Sequence, residues 1–394
     1  MTTRLPRAAA LCALLIFSAA GARAQSKEPR KLFLVEDERG FESYIDRTGR
    51  VVLALPDGPD FTESVRGGLR WPGRREDDGE RSSVPSYRTR VGLGDFSDGL
   101  ARFSFDLRPG ARARHVAYGF IDETGRVVIP PVFRRVDDFR DGRAMFENEP
   151  GKRGYIDKTG KVVIEPVYRL TWGFSEGLAA ACLENNVDDS KCGYIDRDGR
   201  VVHPFTLYAA MHFSDGLALI GIDGERTAYV DKSMRVVFRM KEGEYGGQFS
   251  EGLATIRVGV RGPFGYMDRT GKVVIPAHYD EAREFSEGLA LVSKNGAYGF
   301  IDRTGKVVIP FQYFYGSSFS EGLAAVTTSS DWQVPGWGYI DRAGNVRVPL
   351  KLDYAAPFSG GLAGIDRVTD RQNITDAYID AQGRTVWEKP ARKW

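Results

Sequence analysis

The stretch that decides the fold reads FIDRTGKVVI and occupies residues 300–309. An aromatic and an aliphatic residue precede Asp302, and Gly305 precedes a basic residue and a run of β-branched residues. Asp at the first position of a type I turn accepts hydrogen bonds from backbone N–H groups, and Gly supplies the positive φ that the chain then needs. The stretch therefore predicts a β-hairpin.

The same pattern recurs along the chain, which makes the protein a tandem repeat. Its nine copies begin at Tyr44, Phe120, Tyr155, Tyr194, Tyr229, Tyr266, Phe300, Tyr339 and Tyr378. A second pattern, FSEGLA, alternates with the first, and its eight copies begin at Phe96, Phe139, Phe174, Phe213, Phe249, Phe285, Phe319 and Phe358. In six of the eight intervals, 19 residues separate the first pattern from the following second pattern. A constant distance of this kind indicates packed structure.

Each unit predicts three antiparallel strands. The second pattern leads into a strand that returns through Asn295-Gly296, a pair that favours a tight hairpin. The segment 310–319 shows no alternation, so we expect an irregular crossing whose aromatic residues anchor it to the core: Phe311, Tyr313 and Phe314. One copy of the first turn has Met234 where the others have Gly. A side chain there costs about 1 kcal/mol, so this turn should be strained or differently built.

Apolar runs such as 273–275 and 307–309 place apolar side chains on both faces of one strand, so neighbouring units must stack. Propellers usually have roughly four to eight blades of four strands, whereas this chain has nine units of three, and its first unit is complete from Lys31. We therefore predict an all-β tandem array of nine three-stranded antiparallel meanders that form an open, twisted β-solenoid-like stack. The alternative is a closed β-propeller.

The N-terminal segment has the composition of a secretory signal. Arg4 and Arg7 precede an apolar run, and Ala22-Arg23-Ala24 supplies a cleavage pattern. A membrane anchor is the alternative, but the run is shorter than the ~20 residues of a spanning helix. We predict a signal peptide at 1–24, a first repeat at 25–56, a polar insertion rich in Arg, Pro and Gly at 57–90, and the remaining repeats at 91–394. The protein should be exported, periplasmic or extracellular, without membrane insertion after cleavage.

Removal of the signal leaves two cysteines, Cys182 and Cys192. Alignment of the units places them on Ser293 and Tyr298, which a hairpin at Asn295-Gly296 would set opposite each other. Cross-strand neighbours have Cβ atoms about 4.5 to 5.5 Å apart, close to the separation that a disulfide requires. We predict a Cys182–Cys192 disulfide, with two free thiols as the alternative.

The repeat resembles that of the WG-repeat family, in which a Trp-Gly pair precedes the Tyr-Ile-Asp core and an FSEGLA stretch follows. The pair itself occurs as Trp337-Gly338, and other residues replace its Trp elsewhere, as in Tyr298-Gly299 and Phe264-Gly265. The resemblance covers the mature chain apart from the insertion. It implies a repeat protein with a binding function and brings no catalytic residues.

Composition and motifs argue against several function classes. A net charge of +2 lacks the basic excess of a dedicated nucleic-acid binder. The repeated Asp residues suggest a metal ladder, but the turn accounts for them, so we predict no metal and no cofactor. The four histidines fall at different places in their units, so we predict no enzyme: His115, His203, His212 and His278.

Recognition should lie where the units differ, in the insertion and in the loops 184–191 and 327–335. Trp71 and Trp332 lie in two of these segments and are candidate binding residues. They could stack on sugars or anchor peptides, or fold back on their own units. We predict a non-enzymatic binding or scaffolding module for a protein or glycan of the cell envelope or exterior. The alternatives are a secreted hydrolase with catalytic residues in the non-repeat loops, and a passive spacer.

Overall fold

The computed structural model describes residues 31–36, 42–54, 91–106, 116–183, 191–223, 226–331, 334–370 and 373–389. The chain divides into two units, Met1–Arg30 and Lys31–Trp394, and every statement below concerns the second. The predicted signal peptide at 1–24 and the insertion at 57–90 fall outside the described residues.

The described residues form nine antiparallel sheets, which we number as blades 1 to 9 in chain order. Blade 1 comprises β1 (Phe33–Glu36), β2 (Glu42–Ile45) and β3 (Val51–Ala54). Blade 2 comprises β4 (Val91–Ser97), β5 (Leu100–Asp106), β6 (Val116–Asp122) and β7 (Val127–Phe133). Blade 3 comprises β8 (Arg135–Val136), β9 (Ala144–Glu149), β10 (Lys152–Ile156) and β11 (Val162–Tyr168). Blade 4 comprises β12 (Leu170–Thr171), β13 (Leu178–Cys182), β14 (Cys192–Asp196) and β15 (Val201–Leu207). Blade 5 comprises β16 (Ala209–Ala210), β17 (Leu217–Gly221), β18 (Thr227–Asp231) and β19 (Val236–Arg239). Blade 6 comprises β20 (Glu244–Ser250), β21 (Leu253–Val258), β22 (Phe264–Asp268) and β23 (Val273–Tyr279). Blade 7 comprises β24 (Glu281–Ala282), β25 (Leu289–Lys294), β26 (Ala297–Asp302) and β27 (Val307–Tyr313). Blade 8 comprises β28 (Tyr315–Gly316), β29 (Leu323–Thr327), β30 (Trp337–Asp341) and β31 (Val346–Leu352). Blade 9 comprises β32 (Tyr354–Ala355), β33 (Leu362–Asp370), β34 (Asn373–Asp380) and β35 (Thr385–Glu388).

The prediction of three strands per unit was wrong. Blades 2 to 9 each have a fourth strand, which precedes the three that the sequence indicates. In blade 7 this first strand is Glu281–Ala282, paired with Val292 and Ser293. In six of these eight blades the first strand has only two residues, too few to show a period of two, so the pattern gave no sign of it there. The segment 310–319 is accordingly not an irregular crossing. Tyr313 is buried in the core, but Phe314 is 44% exposed.

The prediction of an open array was also wrong, because the blades close into a β-propeller. At successive seams the Gly of the first-pattern turn lies against the last strand of the preceding blade: Gly199 on Ile164 and Gly305 on Ile275. Gly49 of blade 1 lies in the same way against Val386 of blade 9, where an added Cβ would meet the Val386 carbonyl oxygen. Nine blades exceed the usual range for propellers, so the number of repeats favoured an open array.

The first-pattern turn is built as predicted. The Gly305 N–H donates to the Asp302 carbonyl over 2.9 Å, and Gly305 has a φ of 85°. The Asp302 carboxylate accepts from the Thr304 hydroxyl at 2.6 Å, the Thr304 N–H at 2.9 Å and the Lys306 N–H at 3.1 Å. These bonds, led by the Thr304 hydroxyl, lower the pKa of Asp302.

Met234 occupies the same turn without changing its construction. Its N–H donates to the Asp231 carbonyl over 2.8 Å, and its φ is 61°, so the side chain adopts the left-handed conformation that Gly favours. In blade 4, which precedes this turn, His203 occupies the position that Ile164 holds in blade 3 and Ile275 holds in blade 6. Met234 packs against the core cluster between blades 4 and 5, which offsets part of the backbone strain.

The second pattern forms a tight turn that connects the blades. In blade 7, Glu287 and Gly288 both have positive φ, at 54° and 82°, as a type I′ turn requires. The Gly288 N–H donates to the Glu251 carboxylate of blade 6 over 2.9 Å, and the Ser286 hydroxyl donates to the Phe319 carbonyl of blade 8 over 2.7 Å. The Ser and acidic residues of this pattern therefore bond to neighbouring blades, a role that the sequence did not indicate.

The Gly of the Trp-Gly position marks a close backbone approach. An added Cβ at Gly265 would lie 2.5 Å from the Ile275 carbonyl oxygen and 2.7 Å from the Ala277 nitrogen. The same backbone contact recurs at Gly119, Gly154, Gly193, Gly299 and Gly338. In these six blades the position is therefore restricted to Gly by sterics, whatever side chain precedes it.

Candidate functional site

The two tryptophans singled out from sequence, Trp71 and Trp332, lie outside the described residues. Of the loop 327–335, the described part folds on itself: the Ser329 N–H donates to the Thr327 hydroxyl over 3.1 Å, and the Ser329 hydroxyl donates to the Asp331 carbonyl over 2.9 Å. This loop leads directly into β30 and its first residue, Trp337.

The predicted disulfide is confirmed. Cys182 and Cys192 are direct partners between β13 and β14, with Cα atoms 4.0 Å apart, and are joined by a disulfide. The residues with which they were aligned, Ser293 and Tyr298, are likewise paired in blade 7. The bond joins two residues ten positions apart in the chain and stabilises that hairpin locally.

Four aromatic rings form a continuous row across blades 7, 8 and 9, which we call the aromatic band: Tyr298, Tyr315, Trp337 and Tyr354. Successive ring centroids are 5.4, 6.2 and 5.9 Å apart, with interplanar angles of 73°, 77° and 60°. These are edge-to-face contacts, which hold each ring at low cost in conformational freedom. Tyr315 is 37% exposed and Tyr354 is 47% exposed, so the band presents ring surface to solvent.

Charged groups hold one end of the band. The Arg283 guanidinium lies 5.2 Å from the centroid of the Tyr315 ring and also donates to its hydroxyl. The Tyr298 hydroxyl donates to the Glu281 carboxylate over 2.6 Å. Burial, together with this carboxylate, raises the pKa of Tyr298 to about 12, so the phenol is a neutral donor at physiological pH.

The sheet register places these rings together. Tyr298 and Trp337 stand at the position before the close-approach Gly, and Tyr315 and Tyr354 open the two-residue first strands. Within blade 8, Tyr315 pairs with Thr327, which pairs with Trp337. Sequence reasoning missed the band because it assigned no strand at Tyr315 or Tyr354. The only available signal was an aromatic residue at the same offset in two successive units.

A cleft of about 280 Å3 lies at the seam between blades 9 and 1, next to the band. Tyr354 belongs to both, and the cleft is further lined by Tyr378, Trp387 and residues of β1. Glu36, Glu42 and Asp366 also line it. We call it the seam cleft. A second depression of about 410 Å3 lies over blades 3 to 5, where Trp172 and His212 line it with Arg140 and Glu176.

The histidines are dispersed in the structure. His203 Nδ1 contacts the Pro204 carbonyl at 2.7 Å, His212 Nε2 contacts the Gln248 side-chain oxygen at 2.8 Å, and His278 lies beside Tyr279. His115 is outside the described residues. Within the described part of the chain, no three His, Cys, Asp or Glu residues form a group that could hold a metal ion. The same part contains no helix long and apolar enough to cross a bilayer.

The family described as "WG containing repeat" matches this chain in six places, at residues 118–149, 154–186, 193–225, 264–296, 298–330 and 337–366. The chain belongs to the WG-repeat family. The six matched WG repeats include every residue of the aromatic band, and the unit that carries Met234 falls between two of them.

Two solved structures resemble the WG-repeat chain at low identity. One, titled "Crystal structure of the eukaryotic initiation factor", has a TM-score of 0.40 and 11% identity, and covers 75% of this chain and 97% of its own. The other, BamB from Moraxella catarrhalis, has a TM-score of 0.35 and 10% identity, and covers 60% of this chain and 81% of its own. No curated protein sequence matches the chain.

Proposed function

We propose that this WG-repeat protein is an exported, non-enzymatic scaffold that binds a partner protein through the aromatic band. The observation that carries the proposal is the row of four mutually contacting rings, two of them more than a third exposed, with Arg283 at one end.

The residue types favour a protein ligand. Tyr, Trp and Arg are the residues most enriched at the energetic centres of protein interfaces. A Tyr that is already held by edge contacts loses little conformational entropy on binding. The rings also contact one another across blade seams, so the closed ring orients the band before a partner arrives.

Export is supported by residue chemistry. The segment 1–24 has the features of a cleaved signal. Structural disulfides persist mainly in oxidising compartments, and the Cys182–Cys192 bond fits a periplasmic or extracellular protein. We propose no enzymatic role because the described histidines are separated from one another in the fold.

The test is affinity capture from envelope extract and from isolated wall polysaccharide, followed by titration with the purified captured partner. The bait is the wild-type protein or the double variant Tyr315→Ala with Tyr354→Ala. We expect the double variant to bind the partner at least about tenfold more weakly, because it removes two exposed interface aromatics.

Tyr245→Ala is the matched control. Tyr245 is 44% exposed in the first strand of blade 6, where Arg257 lies 5.0 Å from its ring, and it contacts no ring of the band. It should bind the partner as the wild type does. Equal weakening by both variants would contradict a site at the band, and retention on polysaccharide alone would contradict a protein partner.

A further inference from the structure

The seam between blades 3 and 4 departs from the repeat at one hydrogen bond. At six other seams the Ser of the second pattern donates its hydroxyl to the carbonyl of the next blade's second-pattern Phe, over 2.6 to 2.7 Å. Blade 3 has Arg140 at the position of this Ser. The Phe174 carbonyl of blade 4 therefore lacks this bond, and no other donor to it is found among the residues that the structure describes.

The Arg140 side chain extends over blade 4 instead. An added Cβ at Gly173 would lie 3.0 Å from Arg140 Cδ, so the arginine stem occupies space that a side chain at position 173 would need. The equivalent residues of blades 5 and 6, His212 and Gln248, contact each other at 2.8 Å. Gly173 therefore makes room for Arg140, and both line the depression of about 410 Å3 over blades 3 to 5, which we call the arginine pocket.

Arg140 supplies this pocket with a positive charge. The two carboxylates that line the pocket have cationic partners elsewhere: Asp141 lies 3.4 Å from the Arg197 guanidinium, and Glu176 lies 2.9 Å from the Lys232 amine. Arg140, by contrast, forms no ion pair within the described part of the chain. A guanidinium offers two parallel N–H donors to a carboxylate, so the pocket favours an anionic ligand.

Trp172 gives the pocket an aromatic wall. Its backbone is held on both sides, because its N–H donates to the Ala180 carbonyl over 3.2 Å and its carbonyl accepts from the Tyr155 hydroxyl over 2.6 Å. The residue is 39% exposed, and its indole packs on no other aromatic ring of the described residues. Such an indole offers a rigid apolar face on which a ligand ring can stack.

We propose that the arginine pocket binds a sugar acid, namely a hexuronate that is either free or part of an acidic polysaccharide. The carboxylate would pair with Arg140, the sugar ring would stack on Trp172, and a sugar hydroxyl would donate to the Phe174 carbonyl. A ligand of this class satisfies all three groups, and the volume of the pocket lies in the range of small-molecule sites. The site goes beyond the proposed function, because it takes a small ligand and shares no residue with the aromatic band.

Isothermal titration calorimetry of the purified full chain tests the proposal. The probes are D-glucuronate and D-galacturonate, and the comparison ligands are D-glucose, D-galactose and acetate. We expect saturable binding of a hexuronate with a dissociation constant of about 1 mM or lower. The comparison ligands should bind at least about tenfold more weakly, because each lacks either the carboxylate or the ring.

A trisaccharide of galacturonate distinguishes the two sources of the ligand. Tighter binding of the trisaccharide than of D-galacturonate supports a residue of a polysaccharide, because neighbouring sugars then add contacts. Equal or weaker binding of the trisaccharide supports a free sugar acid.

The variant Arg140→Ser restores the residue that the other blades have. Its hydroxyl should donate to the Phe174 carbonyl as the Ser175 hydroxyl donates to the Phe213 carbonyl. We expect the thermal stability of the wild type, with an affinity for the hexuronate that is about tenfold lower or less. Arg134→Ser is the matched control, because Arg134 is exposed between β7 and β8 and does not line the pocket. It should bind the hexuronate as the wild type does.

Two further variants separate the pocket from the rest of the fold. Trp172→Met should bind the hexuronate about tenfold more weakly without unfolding, because blade 5 has Met211 at this position. The double variant Tyr315→Ala with Tyr354→Ala should bind it normally, so failure of the band and failure of the pocket are told apart. Absence of hexuronate binding, equal binding of acetate or of the neutral sugars, or an unchanged affinity in Arg140→Ser would overturn the proposal.

Discussion

Replacement of Gly265 by Ala is expected to destabilise the protein by about 3 kcal/mol, at the upper end of what overpacking costs. The added Cβ would lie 2.5 Å from the Ile275 carbonyl oxygen and 2.8 Å from the Pro276 carbonyl carbon. Both atoms belong to the backbone of β23, so relief requires the third and fourth strands of blade 6 to separate. Equilibrium denaturation with urea, monitored by tryptophan fluorescence, measures the change.

Gly364→Ala provides the matched control for this substitution. Both glycines lie within strands, and neither has a positive φ, so the intrinsic backbone preferences are similar. The Cβ at Gly364 enters open space, at an ordinary contact distance of 3.8 Å from Tyr378. This variant should change the free energy of unfolding by less than about 0.5 kcal/mol. A similar loss in both variants would contradict the steric account of the Trp-Gly position.

Stability is expected to fall steeply above pH 10. Burial raises the pKa of six first-pattern tyrosines above their ordinary value: Tyr44, Tyr155, Tyr194, Tyr229, Tyr266 and Tyr339. The unfolded chain releases these protons near pH 10, whereas the folded chain retains them to higher pH. The tyrosines' contribution is therefore fully present below pH 10 and is lost as the pH rises towards their folded pKa values. Each contributes a slope of about 1.4 kcal/mol per pH unit, so six together reach about 8 kcal/mol per unit.

Urea denaturation at pH 8, 10 and 11 measures this loss. The control is Tyr266→Phe, because blade 7 has Phe300 at the same position and the ring is therefore compatible with the fold. The variant should be about 1 kcal/mol less stable at pH 8, since the Arg283 carbonyl loses its donor, and its stability should decline less steeply at high pH. An equal free energy of unfolding at pH 8 and pH 11 would contradict the burial of these phenols as neutral groups.

The local structure could be predicted from sequence where one turn determines it. Asp302 and Gly305 specify their turn by chemistry that acts within five residues, and the same register placed Cys182 opposite Cys192. The first strands of blades 3, 4, 5, 7, 8 and 9 could not be predicted, because two residues contain no pattern. Ring closure could not be predicted either, since it depends on a small rotation accumulated over nine blades, and no single residue encodes that rotation.

The candidate site was missed for a related reason. Sequence reasoning sought recognition in the segments that depart from the repeat, such as those with Trp71 and Trp332. The aromatic band lies within the repeat, at Tyr315 and Tyr354, and becomes visible only when neighbouring blades are placed side by side. The seam cleft likewise depends on closure, because blades 1 and 9 are more than 300 residues apart in the chain, as the 344-residue separation of Leu34 and Tyr378 shows.

The closed ring is the central claim, and carbodiimide cross-linking of adjacent carboxylates and amines tests it most directly. The Lys389 amine of blade 9 lies 3.6 Å from the Glu36 carboxylate of blade 1. The pair Lys232 and Glu176, 2.9 Å apart in adjacent blades 5 and 4, should cross-link in a ring and in an open array alike and serves as the internal control. We predict that mass spectrometry of the monomer finds both cross-linked peptides. Detection of the control without the Glu36–Lys389 peptide would contradict the ring.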